Sequence, residues 1–175
     1  MQSVKVVVTG PFNAGKTTFI RSVSEIAVLS TEREVSEVSE ETLGKTTVAM
    51  DFGRITISDD VVLYLFGTPG QERFSFMWET LAEGMLGFVV LVDGTDDESM
   101  RDATSVLSFF TEMSDVPFVV AANRIDPHDA AGLRSVREAL ALSDGVPLVG
   151  VDARRRVDAK DALVSLLRRI LETME

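Results

Sequence analysis

Apolar, β-branched runs recur at Val4–Val8, Val61–Phe66, Leu86–Val92, Pro117–Ala121 and Pro147–Val151. Continuous runs of this kind suit strands buried on both faces of a sheet, because a solvated face would demand alternation with polar residues. Helix-type stretches lie between them. Thr95-Asp96-Asp97-Glu98 has the form of a capping box ahead of Met100–Met113. Asp158 and Asp161 open a last helix, with Leu163, Leu166, Leu167, Ile170 and Leu171 as its apolar stripe. This alternation predicts an α/β domain with right-handed crossovers and helices on both faces of the sheet. Val48–Ile57 also reads as a strand, and only Ser58-Asp59-Asp60 separates it from Val61–Phe66. So short a turn permits only an antiparallel pair, which predicts a six-stranded mixed, mostly parallel sheet. The apolar phase shifts around Gly53, where a bulge is expected. Glu32 to Lys45 is polar and acidic without periodicity, the expected mobile loop.

A chain of 175 residues can bury a sizeable core as one domain, 1–175. It carries no apolar run near the roughly 18 residues that span a bilayer. It has no cysteine, which excludes disulfides and prenyl or palmitoyl anchors, and Gln2 excludes the usual myristoyl signal. A cytoplasmic protein with no direct membrane anchor is expected. A net charge of −11 argues against nucleic acid as a partner. The late basic groups, Arg154-Arg155-Arg156 and Arg168-Arg169, read as solvated helix residues.

The segment Gly10-Pro11-Phe12-Asn13-Ala14-Gly15-Lys16-Thr17 follows the first strand and opens a helix-type stretch at Thr18. A phosphate-binding P-loop requires that setting. Its backbone N–H groups turn inward around phosphate oxygens, and the following helix adds its positive end. Gly15 allows close approach, Lys16 reaches the outer phosphates, and the Thr17 hydroxyl can ligate Mg²⁺. Chance occurrence in a Gly-containing turn is the competing reading, and the strand–loop–helix context weighs against it. Nucleotide-binding candidates here are Asn13, Ala14, Gly15, Lys16, Thr17 and Thr18.

Asn123-Arg124-Ile125-Asp126 follows the run Phe118–Ala122. A carboxylate at the end of such a strand can accept hydrogen bonds from guanine N1–H and its 2-amino group. Adenine would present a lone pair at N1 instead. Alone, the tetrapeptide would be an ordinary turn; downstream of a P-loop it points to guanine.

With these motifs the whole chain resembles the Ras-like small GTPases, which implies the P-loop NTPase (small G-protein) fold. Thr47-Val48-Ala49-Met50-Asp51-Phe52 resembles switch I, about 30–47, in which Thr47 would ligate Mg²⁺ and sense the γ-phosphate. Thr68-Pro69-Gly70-Gln71-Glu72 resembles switch II, about 67–80. There the Gly70 N–H would meet the γ-phosphate, and Gln71 would orient the attacking water. The catalytic candidates are Gln71 and Lys16. In the guanine motif Arg124 stands for the commoner Lys, and its planar guanidinium can still stack on the base. Asp152-Ala153-Arg154 is similar to the last base-contacting loop, where the Ala153 N–H would meet the guanine oxygen. Phe66-Gly67-Thr68-Pro69-Gly70-Gln71 most resembles a bacterial branch, the MglA-like polarity GTPases and the GTP-binding members of conservon operons. That branch implies a Roadblock-type partner beside other regulatory and effector proteins.

Three departures bear on chemistry. The family's Asp at the start of switch II is Gly67 here, and Asp51, acting through water on Mg²⁺, is the candidate replacement beside an ordinary strand role. Phe12 stands close to the path of an activating arginine finger, which opposes Ras-style activation in trans. Lys45 and Thr46 precede Thr47, so this segment offers no arginine in cis. Turnover on the order of 10⁻⁴ to 10⁻² s⁻¹ is therefore expected.

Phe74-Ser75-Phe76-Met77-Trp78 places four large apolar side chains after switch II. Core packing would use about two, leaving the rest for a partner surface. His128 in its polar loop is assigned nothing. The leading expectation is a GTP-driven switch. A nucleotide-bound interaction module with little hydrolysis, and an ATP-using P-loop enzyme, are the alternatives.

Overall fold

A computed structural model describes residues 1–36 and 45–175, with side chains described outside 30–49. The elements run β1 (Gln2–Thr9), α1 (Lys16–Val23), β2 (Leu29–Ser36), β3 (Lys45–Ser58), β4 (Val61–Gly67), a 3₁₀ turn (Glu72–Phe74), α2 (Phe76–Ala82) and β5 (Gly87–Asp93). They continue with α3 (Asp97–Met113), β6 (Phe118–Asn123), α4 (Ala130–Ala139), β7 (Leu148–Val151) and α5 (Arg156–Met174). The sheet order is β2-β3-β4-β1-β5-β6-β7. β1 pairs in parallel with β4 and β5, and β6 pairs in parallel with β5 and β7. β3 is antiparallel to both of its neighbours.

Consecutive β1 residues point to opposite faces, so Val4, Val6 and Val8 enter one core and Val7 the other. The first core is closed by Phe19, Ile20 and Val23 of α1 and by Leu163, Leu166 and Ile170 of α5. The second is closed by Trp78 of α2, Phe110 of α3 and Val136 of α4. The expected mixed, mostly parallel α/β sheet with helices on both faces is therefore present. Among the described residues, no helix is long and apolar enough to cross a membrane.

The structure departs from the sequence expectations in several places. Beyond the six expected strands, β2 adds a seventh at the sheet edge, using residues Glu32–Ser36 of the expected loop; residues 37–44 of that loop lie outside the described residues. The irregularity in β3 falls between Thr56 and Ser58, and Gly53 pairs in register with Leu65. What Gly53 supplies is space: a Cβ there would lie 2.6 Å from Ile20 Cγ2 of α1. Helix α3 is capped by Asp96, whose carboxylate accepts the Glu98 N–H, while the Thr95 hydroxyl donates to Asp93. In the α5 stripe Leu171 faces solvent while Ile170 stays buried, because successive helix residues lie about 100° apart around the axis.

Candidate functional site

The motif loops follow the carboxyl ends of β1, β6 and β7, where open α/β sheets present their binding crevices. Two clefts open there. One, of about 740 Å³, is lined by Lys16, Thr17, Asp51, Gly70 and Gln71, with Phe12 at its rim. The other, of about 560 Å³, is lined by Asn123, Asp126, Asp152, Ala153 and Arg154. Gly15, Thr18 and Arg124 line both, so the clefts are continuous. The P-loop candidates thus sit at one end and the base-reading candidates at the other.

The P-loop holds its shape through backbone conformations that few residues tolerate. Gly15 has φ 103°, and a Cβ there would lie 2.5 Å from Asn123 Nδ2. Asn13, at φ 63°, occupies the left-handed region that Asn enters more readily than most residues. Gly15 is the N-cap of α1 and supplies no side-chain acceptor. The first N–H groups of the helix are thus left without a side-chain cap beside the cleft that Lys16, Thr17 and Thr18 line. Lys16 is 9% exposed, and its ammonium donates to the carbonyls of Gly10 and Pro11, each at 2.7 Å. Burial lowers its pKa to about 8, against the opposing pull of the Asp51 carboxylate.

Asp51 stands close to Gly67. It lies directly across the β3–β4 ladder from Gly67. A Cβ on Gly67 would come within 3.1 Å of Asp51 Cβ and 3.5 Å of Asp51 Oδ2. The Asp51 carboxylate therefore occupies the space that a side chain at 67 would enter, and there it accepts a hydrogen bond from the Thr17 hydroxyl. An oxygen pair of this kind suits Mg²⁺, which takes few protein ligands and keeps phosphates and water around it. Among the described residues no group of three or more His, Cys, Asp and Glu could hold a metal; Thr17 and Asp51 both line the P-loop cleft. Thr47 is not beside them. Its backbone lies in β3 opposite Glu34, four residues or roughly 13 Å along the strand from Asp51, and its side chain lies outside the described residues.

The segment after β4 is tied down at several points. The Thr68 N–H donates to Val8 O at 3.0 Å, and its hydroxyl donates to the buried Thr9 hydroxyl at 2.8 Å. Trp78 Nε1 donates to Pro69 O at 2.8 Å. Gly70 is pressed against the P-loop, since a Cβ there would meet Lys16 Nζ and the Phe12 backbone within 2.7 Å. Of the four large apolar residues after it, Phe74 and Trp78 are core, 6% and 4% exposed. Trp78 packs edge-on to Phe109 at 5.2 Å. Phe76 is exposed and Met77 half-buried, so any partner surface in this segment rests on those two.

At the base end, Asn123 acts as a tie between loops. Its Nδ2 donates to Ala14 O, and its Oδ1 accepts the N–H groups of Arg124 and Ala153, all at 3.0 Å. The Ala153 N–H, which the family resemblance assigns to the guanine oxygen, is thus engaged within the protein. Asp126 Oδ1 accepts the His128 N–H at 2.8 Å, which orients the carboxylate. Arg124 adopts φ 65° and its guanidinium pairs with Asp93. Burial works to raise the Asp93 carboxyl, but hydrogen bonds from Thr95 and the pair with Arg124 prevail and hold it below the usual range. Arg154 is clamped by Asp152 through its N–H, Nε and Nη2. Those contacts hold the Asp152 carboxyl at about 2.

Sequence reasoning missed three contributors. Asp93 fixes Arg124. Asp158, 6% exposed, accepts the Asp152 N–H at 2.8 Å and so sets the last loop. Arg73 Nε donates to Gln71 Oε1 at 2.7 Å. Asp158 had a visible signal, an acid in the first turn of a helix, but its target is a preceding loop.

A family model described as a conserved hypothetical ATP-binding protein matches residues 29–173, beginning after the P-loop. An uncharacterized protein of Methanocaldococcus jannaschii is 29% identical over 126 residues, covering 72% of this chain and 73% of its own. The Ras-related protein Rab-8A of Bos taurus is 26% identical over 177 residues, covering 98% and 80%. The ADP-ribosylation factor-like protein 8d of Arabidopsis thaliana is 26% identical over 145 residues, covering 81% and 75%. These likenesses support a small GTPase-like superfamily and a nucleotide ligand. By the extent of the model's match, the chain belongs to the conserved hypothetical ATP-binding protein family.

Proposed function

We propose that the chain is a GTP-binding molecular switch that slowly hydrolyses GTP to GDP and signals to partner proteins through segments 30–47 and 67–80. The observation that carries this reading is the continuous cleft with Lys16 and Thr17 at one end and the oriented Asp126 carboxylate at the other. The family description names ATP, but Asp126 favours guanine, because a carboxylate facing adenine N1 would meet a lone pair. Mg²⁺ would be held by Thr17 and Thr47, with Asp51 acting through water. When bound it neutralises charge on the phosphate oxygens.

In hydrolysis, a bond forms from the water oxygen to the γ-phosphorus and the bond to the bridging oxygen breaks, leaving GDP and inorganic phosphate. Lys16 and the α1 N–H groups stabilise charge on the phosphates, and Gln71 orients the water. Loss of the γ-phosphate removes what Gly70 and Thr47 would bind, which releases both segments. We place the protein in the cytoplasm, in the bacterial MglA-like branch, with a Roadblock-type regulator. A second reading, an interaction module with little hydrolysis, draws on Phe12, 59% exposed at the cleft rim where an arginine finger would enter.

Phosphate release under single-turnover conditions decides between the two. The switch reading predicts a wild-type rate on the order of 10⁻⁴ to 10⁻² s⁻¹. It also predicts that Gln71→Leu slows release at least about tenfold with GTP affinity unchanged. Equal rates for both proteins would favour the module.

A further inference from the structure

Gln71 carries the water-orienting role in the function proposed above, and what holds its side chain in place is a neighbouring arginine that no motif points to. We infer that Arg73 is a positioning residue for Gln71, fixing the orientation of its amide for hydrolysis. The inference rests on the switch reading.

The two residues form a short relay from the core to the cleft. Phe74 is buried, 6% exposed, and so supplies a fixed surface. The Arg73 guanidinium lies over the Phe74 ring, 4.7 Å from its centroid. A planar cation on an aromatic face holds its orientation better than a free surface arginine. From that seat Arg73 Nε–H donates to Gln71 Oε1 at 2.7 Å. The intervening turn makes this reach possible: Gln71 is the extended N-cap of the 3₁₀ turn Glu72–Phe74, and the Phe74 N–H closes on Gln71 O at 3.0 Å.

The chemistry of a primary amide gives the contact its consequence. Gln71 offers two acceptor lone pairs on Oε1 and two donors on Nε2. With one lone pair held by Arg73, the two ends of the amide are no longer interchangeable. The second lone pair stays available to accept a proton of the attacking water, and Nε2–H stays available for a phosphate oxygen. A freely turning glutamine would spend most of its time out of this arrangement, and small misplacements of a positioning group cost rate steeply. Lysine cannot replace Arg73, because it has neither an Nε–H at that point on the side chain nor a plane to stack.

Single-turnover hydrolysis and nucleotide affinity, measured for wild type, Arg73→Ala, Arg73→Lys, Gln71→Leu and the Arg73→Ala/Gln71→Leu double variant, test this. The inference predicts that both Arg73 variants slow hydrolysis roughly ten- to hundredfold while the Kd for GTP changes by less than about twofold. The double variant should be no slower than Gln71→Leu alone, since Arg73 acts through Gln71. A second readout does not depend on turnover. The chain has two glutamines, Gln2 and Gln71, so Gln71→Leu identifies the Gln71 side-chain amide in an NMR spectrum. In Arg73→Ala that signal should move to the position of a solvent-exposed glutamine. Wild-type or faster hydrolysis by Arg73→Ala while Gln71→Leu is slow overturns the inference and spares the switch reading. So does a double variant slower than Gln71→Leu, or an unmoved Gln71 amide. If Gln71→Leu hydrolyses as fast as wild type, the switch reading fails, and the inference fails with it.

Discussion

At the scale of single residues, Lys16 carries the sharpest prediction. Burial holds its pKa at about 8 in the chain by itself, below the ordinary lysine value near 10.4. The unfolded chain therefore binds the proton more tightly between those values. The burial penalty on the charged form is fully present below pH 8 and is relieved as pH rises through 8 to about 10.4. Nucleotide binding has the opposite sign, because phosphates need the ammonium. The fraction protonated falls about fourfold from pH 7 to pH 8.5 for a group titrating near 8. GDP affinity measured by fluorescence titration should fall by about that factor. A flat profile over this range would show that Lys16 keeps its charge without nucleotide. Asp51 and Gly67 are close because positions directly opposite in an antiparallel ladder share a face.

At the scale of elements, the segment from Thr68 to Ala82 joins core and cleft. Trp78 fills space between α2 and α3 and donates its indole N–H to the Pro69 carbonyl. Trp78→Ala removes both the packing and the donor. Unfolding in denaturant should show a loss of about 3–5 kcal/mol; a loss under 1 kcal/mol would place Trp78 outside the core. This is also where the sequence was least legible. Motif spacing singled out Gly10–Thr17 and Asn123–Asp126, and the family resemblance Gln71, in loops that line the two clefts, because each stretch is contiguous in the chain. Which of Phe74, Phe76, Met77 and Trp78 turn inward depends on the break between the 3₁₀ turn and α2, and no regular periodicity encodes that break. Arg73 was invisible for the same reason, and Asp93 because its partner Arg124 follows the next strand over, β6. β2 was hidden by its polar, acidic composition; it pairs only along one edge of the sheet, where polar residues are tolerated.

At the scale of the whole molecule, parallel strands β1, β6 and β7 bring three loops, far apart in sequence, to one edge of the sheet. Asn123 ties the first of them to the last through Ala14 and Ala153. The two clefts are thereby held in one frame, so a ligand that spanned both would gain from a site assembled before it arrives. The account depends on what that frame selects. Calorimetric titration of nucleotide-stripped wild type and Asp126→Asn with GDP and xanthosine diphosphate, in the presence of Mg²⁺, measures it directly. The account predicts that wild type binds GDP and that Asp126→Asn weakens GDP by at least about a hundredfold while gaining xanthosine diphosphate. GDP binding that is absent in wild type, or unchanged by Asp126→Asn, would contradict it.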